Sequence, residues 1–184
     1  GVHTHFPNWR GYREYSGGMM TDWGVHLVDM VLLGMQTQAP KSISSFGGHI
    51  AYPNDARETP DTQTALYDFG HFQMNWEHTM GRQYGLYGMN HGISFTGNNG
   101  TLLLNRDGWE VRPEMENKQP KIEAIAWQKR ADNGIDLHTA NFIDAVKADN
   151  ASKLNCSIEA GAAVAKVCHM GNMALRAKQQ INWN

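Results

Sequence analysis

The sequence has little cysteine: Cys156 and Cys168 are the only two among 184 residues. Two thiols cannot hold a disulfide-rich scaffold, and because neither belongs to a CxxC pair, a zinc ribbon is excluded as well. Long hydrophobic runs are also lacking, since the longest is only a few residues against the roughly 20 that cross a bilayer. We therefore expect no membrane span.

A basic excess and a leader sequence are lacking too. Lys plus Arg number 16 and Asp plus Glu 18, so the formal net charge is -2 and no excess is available to neutralise phosphates. We expect no nucleic-acid partner. No signal peptide is visible at the N-terminus, which favours a cytoplasmic protein. Because the chain begins with Gly1 and not Met, we expect it to be part of a longer protein.

What is present is enough for a folded core. Hydrophobic residues make up 41% of the chain and charged residues 18%. An uninterrupted apolar stretch predicts a helix at about 19–34. Short β-branched and aromatic runs, cut by turn residues, predict an antiparallel sheet at about 42–112. Two further helices are predicted at about 138–148 and 158–177. We expect one α+β domain over 1–184, an open, mostly antiparallel sheet with helices on one face.

Seven short segments carry the strand pattern within the predicted sheet. They are 42–46, 63–69, 73–78, 84–87, 92–96, 101–105 and 109–112. A polar stretch from His49 to Asp61 interrupts them and is too long for a hairpin turn. The sequence leaves its role open between a cover over a neighbouring site and plain surface.

The first predicted helix carries the residues of chemical interest. Asp22, His26 and Asp29 fall within a wedge of roughly 60° at about 100° per residue, and nearly all the rest of the helix is apolar. Such a helix is expected to be buried, so the wedge should not be ordinary solvent-facing surface. Asp22 and His26, four residues apart, can hydrogen-bond, which suits general acid–base chemistry near neutral pH.

Two other interpretations of the wedge remain open. It could be a satisfied polar patch under a loop, with no chemistry. It could also contribute to a metal site, because an i, i+4 spacing suits two ligands, and His3 and His5 could add others. A clear third and fourth ligand is lacking, however, so we expect no metal.

The order of these motifs resembles the glucose-fructose oxidoreductase / inositol dehydrogenase / rhizopine catabolism (Gfo/Idh/MocA) family. The resemblance covers nearly the whole chain, and the set of motifs is more specific than any one of them. Its segments are Trp9-Arg10, Tyr15-Ser16-Gly17-Gly18, Asp22 to Asp29, Glu58-Thr59-Pro60-Asp61-Thr62, Trp76-Glu77-His78, Gly97 to Leu102, and His138 with Asn141-Phe142 and Asp144-Ala145.

The resemblance implies a two-domain oxidoreductase. In that family an N-terminal Rossmann domain binds NAD or NADP, and a C-terminal α+β domain binds substrate and forms homo-oligomers through a sheet face. This sequence resembles the C-terminal domain alone, because the G-x-G-x-x-G fingerprint and the family's Glu-Lys-Pro motif are absent. We therefore expect no cofactor site in this chain, and no dehydrogenase activity without the missing domain.

The resemblance also implies roles for individual residues. The family transfers hydride between a sugar or cyclitol carbon and the nicotinamide, and it places His26 as the acid/base with Asp22 as its orienter or as a hydroxyl ligand. Asp29, one turn deeper, is expected either to orient these groups as part of the substrate-binding site or to be a structural partner.

The aromatic and basic lead-in, whose alternative role is simple packing, is expected to approach the sugar. Its residues are Trp9, Arg10, Tyr12 and Arg13. The alternative functions left open are a non-catalytic carbohydrate-binding or assembly module and a metal-dependent hydrolase.

Overall fold

The structure, a computed structural model, describes residues 8–183. It divides into two compact units. The first unit contains the residues up to Arg82 and those from Ile158 onward, and the second runs from Gln83 to Ser157. No helix in the described part of the chain has the length and apolar character of a membrane span.

Two helices form one layer of the first unit. Helix α1 spans Met19–Gly34, and helix α3, so numbered because α2 lies in the second unit, spans Ile158–Ala177. Small residues let them approach closely: a Cβ added to Gly24 would lie 3.7 Å from Cys168 Sγ. Burial raises the pKa of the Cys168 thiol to about 12, so this cysteine stays protonated and acts as a small apolar residue.

A four-stranded antiparallel sheet forms the other layer. Its strands are β1 Ser42–Gly48, β2 Thr62–Asp68, β3 Gln73–Thr79 and β10 Ile181–Asn182, in the order β10-β1-β2-β3. Alternate side chains are buried, as expected for a sheet covered on one face. Two buried rows pair in register across all three long strands, Ile43 with Tyr67 and Met74, and Ser45 with Ala65 and Trp76, while the buried pair Gln63 and His78 lies opposite the exposed Gly47.

The second unit has its own antiparallel sheet, in the order β4-β5-β6-β9. Its elements are β4 Ile93–Thr96, β5 Gly100–Asn105, β6 Gly108–Pro113, the hairpin β7 Met115–Glu116 and β8 Gln119–Pro120, β9 Ile125–Lys129, and helix α2 Ile135–Lys147. Only Ala145 is buried on α2.

The predicted fold class is confirmed, and three details differ. The segment predicted as a strand at 84–87 is not one: it leads into a 3-10 turn at Leu86–Gly88, where Tyr87 has a φ of 58° and Gly88 a φ of 77°. Positive φ is incompatible with a strand, which explains the difference. The sequence pattern did not predict strands β7, β8, β9 and β10. The strands also form two separate four-stranded sheets.

Candidate functional site

Helix α1 begins at a glycine that the surrounding structure requires. Gly18 has a φ of 72°, and a Cβ there would lie 2.7 Å from Thr59 Cβ, so a side chain would be both strained and obstructed. The Gly18 carbonyl accepts from the backbone N–H of Thr21 and of Asp22, at 3.1 and 3.0 Å. Asp22 thus lies in the first turn, where the helix dipole favours a carboxylate.

Asp22 is paired with a residue of the lead-in segment. Arg10 Nε lies 3.0 Å from Asp22 Oδ2, with 31% of the Asp22 side chain and 52% of the Arg10 side chain exposed. The Arg10 guanidinium also lies over the Trp9 ring, 4.4 Å from its centroid. The structure therefore joins three of the predicted site residues into one cluster, which we call the Arg10 cluster: Trp9, Arg10 and Asp22.

The expected hydrogen bond between Asp22 and His26 is not formed in the part of the chain that the structure describes. His26 and Asp29 are exposed, and so are the apolar side chains Met30 and Leu33 on the same side of the helix, at 40% and 70%. The expectation that α1 is buried around most of its girth is therefore wrong for this chain. Only its other side packs against α3 and the sheet.

The other two residues of the predicted lead-in site lie elsewhere. Tyr12 is only 7% exposed and belongs to the core of the first unit. Arg13 is exposed, and its backbone N–H donates to Glu58 Oε2 at 2.9 Å. Of the four lead-in residues, Trp9 and Arg10 are the two that join Asp22.

The 49–61 loop is held by a buried carboxylate. Asp61 accepts hydrogen bonds from the backbone N–H groups of Ile50, Ala51 and Tyr52 at 2.8–3.1 Å, and its side chain is almost fully buried. Burial raises the pKa of Asp61, but these backbone hydrogen bonds outweigh burial and lower that pKa to about 2. The loop is therefore an ordered part of the first unit.

A buried histidine links this loop to the sheet. His78 Nδ1 accepts from Trp76 Nε1 at 3.1 Å, so its Nε2 carries the proton and donates to the Pro60 carbonyl at 3.2 Å. Burial lowers the pKa of His78, while the Pro60 bond opposes that shift. His78 is thus a neutral structural histidine, and Trp76 lies in the core of this chain.

A cavity of about 1110 Å³ lies in the first unit, at the N-terminal end of α1. Thr21 and Arg13 line it, together with Asn172 of α3, whose Nδ2 donates to the Gly17 carbonyl at 2.7 Å. Asp22, His26 and Asp29 are not among its lining residues. The cavity and the exposed side of α1 are therefore separate features of the described chain.

A metal centre finds no support among residues 8–183, where no group of three or more His, Cys, Asp or Glu side chains is placed to hold an ion. His3 and His5, which the metal-site alternative requires, lie outside the described residues.

Comparison with known families now identifies the chain. Residues 2–103, more than half of the sequence, match the family model described as the GFO/IDH/MocA C-terminal domain. The chain therefore belongs to the GFO/IDH/MocA family. A search of curated proteins gives no match.

Solved structures show the same fold. Aldose-aldose oxidoreductase from Caulobacter crescentus, complexed with glycerol, is 14% identical with a TM-score of 0.70, over 96% of this chain and 51% of that one. An NAD-binding protein from Listeria innocua is 19% identical with a TM-score of 0.65, over 96% and 54%. The WlbA dehydrogenase from Bordetella pertussis, in complex with NADH and UDP-GlcNAcA, is 19% identical with a TM-score of 0.59, over 96% and 48%. The chain thus spans about half the length of these proteins.

Proposed function

We propose that this chain is the substrate-binding domain of an NAD(P)-dependent oxidoreductase that acts on a sugar or cyclitol hydroxyl. Family membership supports the class of reaction. The position of the site is supported by one observation: Arg10 and Asp22 are paired one helical turn from the exposed His26. The Asp22 carboxylate and the His26 imidazole of the helix, with the Arg10 guanidinium of the lead-in, can bind neighbouring hydroxyl groups and exchange a proton with one of them.

In the proposed reaction His26 takes the hydroxyl proton of the substrate. As the O–H bond breaks, its electron pair forms the second bond of the carbonyl, and the carbinol hydrogen leaves with the C–H electron pair as hydride, for which the nicotinamide would be the acceptor. Asp22 uses Oδ2 for Arg10, which leaves Oδ1 to accept from a second hydroxyl. Trp9, stacked with Arg10, offers an aromatic face for the sugar ring. Asp29 lies one turn beyond His26 on the same side of the helix, and we assign it to the same substrate site.

We infer that the dinucleotide fingerprint of this protein lies outside this chain. The sequence has no G-x-G-x-x-G, and its Gly85–Gly88 segment forms a 3-10 turn and not a strand-to-helix turn. We propose that NAD or NADP, which accepts the hydride, is bound by an N-terminal Rossmann domain of the same protein. The exposed Met30 and Leu33 beside His26 offer apolar surface for that domain to cover.

We also propose a cytoplasmic homo-oligomer formed through the outer face of the first sheet. On that face Phe46 is 76% exposed and Leu66 is 47% exposed. The side chains that alternate with them along the two strands, such as Ser45 and Ala65, are buried on the opposite face. A sheet covered on one face leaves the other available for a second copy.

The proposal is tested with the protein that carries both domains. Incubation with NAD or NADP and a panel of sugars and cyclitols should reduce the nicotinamide with at least one polyol, as measured by absorbance. The 184-residue chain by itself should leave the fluorescence of added NADH unchanged. Tight NADH binding by this chain alone, or no reduction with any polyol, would contradict the proposal.

A further inference from the structure

The backbone carbonyl of Gly11 joins the lead-in segment to the 49–61 loop, in addition to the Arg13–Glu58 bond. The Gly11 carbonyl accepts from Glu58 N at 2.8 Å, from Thr59 N at 3.0 Å and from Thr59 Oγ1 at 3.3 Å. Gly11 and Thr59 are both buried, so the two bonds from Thr59 are shielded from water. Three donors on one acceptor fix the position of that peptide group, and Arg10 is the residue directly before it.

The packing around Gly11 leaves no space for a side chain. A Cβ added to Gly11 would meet Arg57 Cγ and lie 2.8 Å from Arg57 Cδ. Arg57 is itself held, because its guanidinium bonds to Asp55 and donates to Met80 Sδ. The Asp55 hydrogen bond also raises the pKa of Arg57, so its charge is constant. The loop thus presents a rigid surface to the lead-in segment.

Thr59 of the loop also contacts the start of helix α1. The Thr59 side chain lies where a Cβ of Gly18 would be, 2.7 Å from the Thr59 Cβ. Thr59 therefore contacts the lead-in on one side and the first turn of α1 on the other. Arg10 directly precedes Gly11 and Asp22 lies four residues after Gly18, so Thr59 contacts the chain near both partners of the ion pair.

We propose that the Glu58–Thr59 segment, through Thr59, is a positioning element for the candidate site. It holds Arg10 in its ion pair with Asp22 and so sets where the Asp22 carboxylate lies beside the substrate. The effect of this positioning on catalysis rests on the proposed function. The contact itself exists whether or not the chain binds a polyol, so the two can fail separately.

The contact is tested first, without any activity measurement, in this 184-residue chain. The Arg10 Nε–H group, assigned by Arg10→Lys, gives a distinct NMR signal because it is bonded to a carboxylate. Gly11→Ala should move that signal to the position of a solvent-exposed arginine. Gly48→Ala is the matched control, since a Cβ there meets nothing within 4 Å, and it should leave the signal in place. An unchanged Arg10 signal in folded Gly11→Ala would overturn the inference.

A second pair of variants applies if Gly11→Ala does not fold. Thr59→Val keeps the shape but removes the hydroxyl donor, and Thr59→Ser keeps the donor. The Arg10 signal should move in Thr59→Val and be retained in Thr59→Ser, and no movement in Thr59→Val would again overturn the inference.

The consequence for catalysis is measured in the two-domain protein. Thr59→Val should lower kcat/KM for the polyol by roughly tenfold to a hundredfold, the scale of a misplaced reacting group, while Thr59→Ser retains most of it. If Arg10 moves but kcat/KM is unchanged, the positioning role is contradicted. If the unsubstituted protein oxidises no polyol, the proposed function fails and the Arg10 result stands.

Discussion

At the scale of single residues, one carboxylate organises a loop whose role the sequence left open. Asp61 collects three backbone N–H groups and also accepts from the Thr62 hydroxyl at 2.8 Å. The Asp61 backbone also links the loop to the sheet: Asp61 N donates to Gly48 O, and Met80 N donates to Asp61 O. Asp61 therefore holds the loop that carries Thr59 against the end of the sheet.

Asp61→Asn should destabilise the protein by about 2 kcal/mol, because an amide nitrogen would face backbone N–H donors that a carboxylate now satisfies. Urea unfolding at neutral pH measures the loss. Glu14→Gln, which neutralises an exposed carboxylate of the same unit, is the control and should change stability by no more than about 0.5 kcal/mol. Equal stability of the two variants would contradict this role for Asp61.

The same carboxylate predicts a pH dependence. The pKa of Asp61 is about 2 in the folded chain, below its ordinary value of 3.8. Its contribution is therefore complete above the ordinary value and is lost as the pH falls through 3.8 toward 2. Asp61→Asn should lose less stability over that interval than the unsubstituted chain.

At the scale of elements, patterns within a segment predicted more than contacts between segments. The sequence predicted helix α1 because its apolar residues form one long stretch without the polar–apolar alternation of a strand. Most strands coincide with the predicted β-branched and aromatic runs. The strand β10 has two residues and pairs only at an edge, which leaves no pattern to detect. The 84–87 segment has the composition of a strand because it contains two tyrosines and a leucine, although its backbone turns.

The candidate site shows the same limit. The spacing of Asp22, His26 and Asp29 predicted one helix face, which the backbone geometry provides. The Arg10–Asp22 pair and the bond between Gly11 and Thr59, which are 48 residues apart, both join different segments, and no local pattern contains them. In the sequence, Thr59 was noted only as a member of the motif from Glu58 to Thr62.

The packing of α3 gives a prediction at this scale. A Cβ at Gly171 would meet Tyr67 Oη and lie 2.8 Å from Met20 Cε, so Gly171→Ala should destabilise the first unit by about 1–3 kcal/mol. Gly161 lies on the same helix with nothing within 4 Å of a Cβ, and Gly161→Ala should stabilise it by roughly 0.5–1 kcal/mol. Thermal unfolding compares the two. A loss in Gly161→Ala equal to that in Gly171→Ala would rule out this account of the packing.

At the scale of the whole molecule, the chain buries one side of its first sheet and leaves the other exposed. That arrangement supports the proposed oligomer, and the exposed side of α1 supports the proposed contact with a cofactor-binding domain. Both proposals concern surfaces that carry apolar side chains: Phe46 and Leu66 on the sheet, Met30 and Leu33 on the helix.

The oligomer is tested by placing charge on the sheet face. Phe46→Glu with Leu66→Glu should convert an oligomer to a monomer, because two carboxylates per copy would be buried unpaired at the interface. Light scattering gives the mass of each species. A strictly monomeric unsubstituted protein at high concentration, or an oligomer that the double variant leaves intact, would contradict the sheet as the interface.

The central claim is that His26 exchanges the proton of a polyol hydroxyl, and its removal is the most direct test. In the two-domain protein, His26→Ala should lower kcat by roughly 100-fold or more, the scale of a lost general acid–base. His71→Ala, at an exposed histidine of the turn between β2 and β3, should leave kcat unchanged. A His26→Ala enzyme that turns over at the unsubstituted rate would contradict the claim.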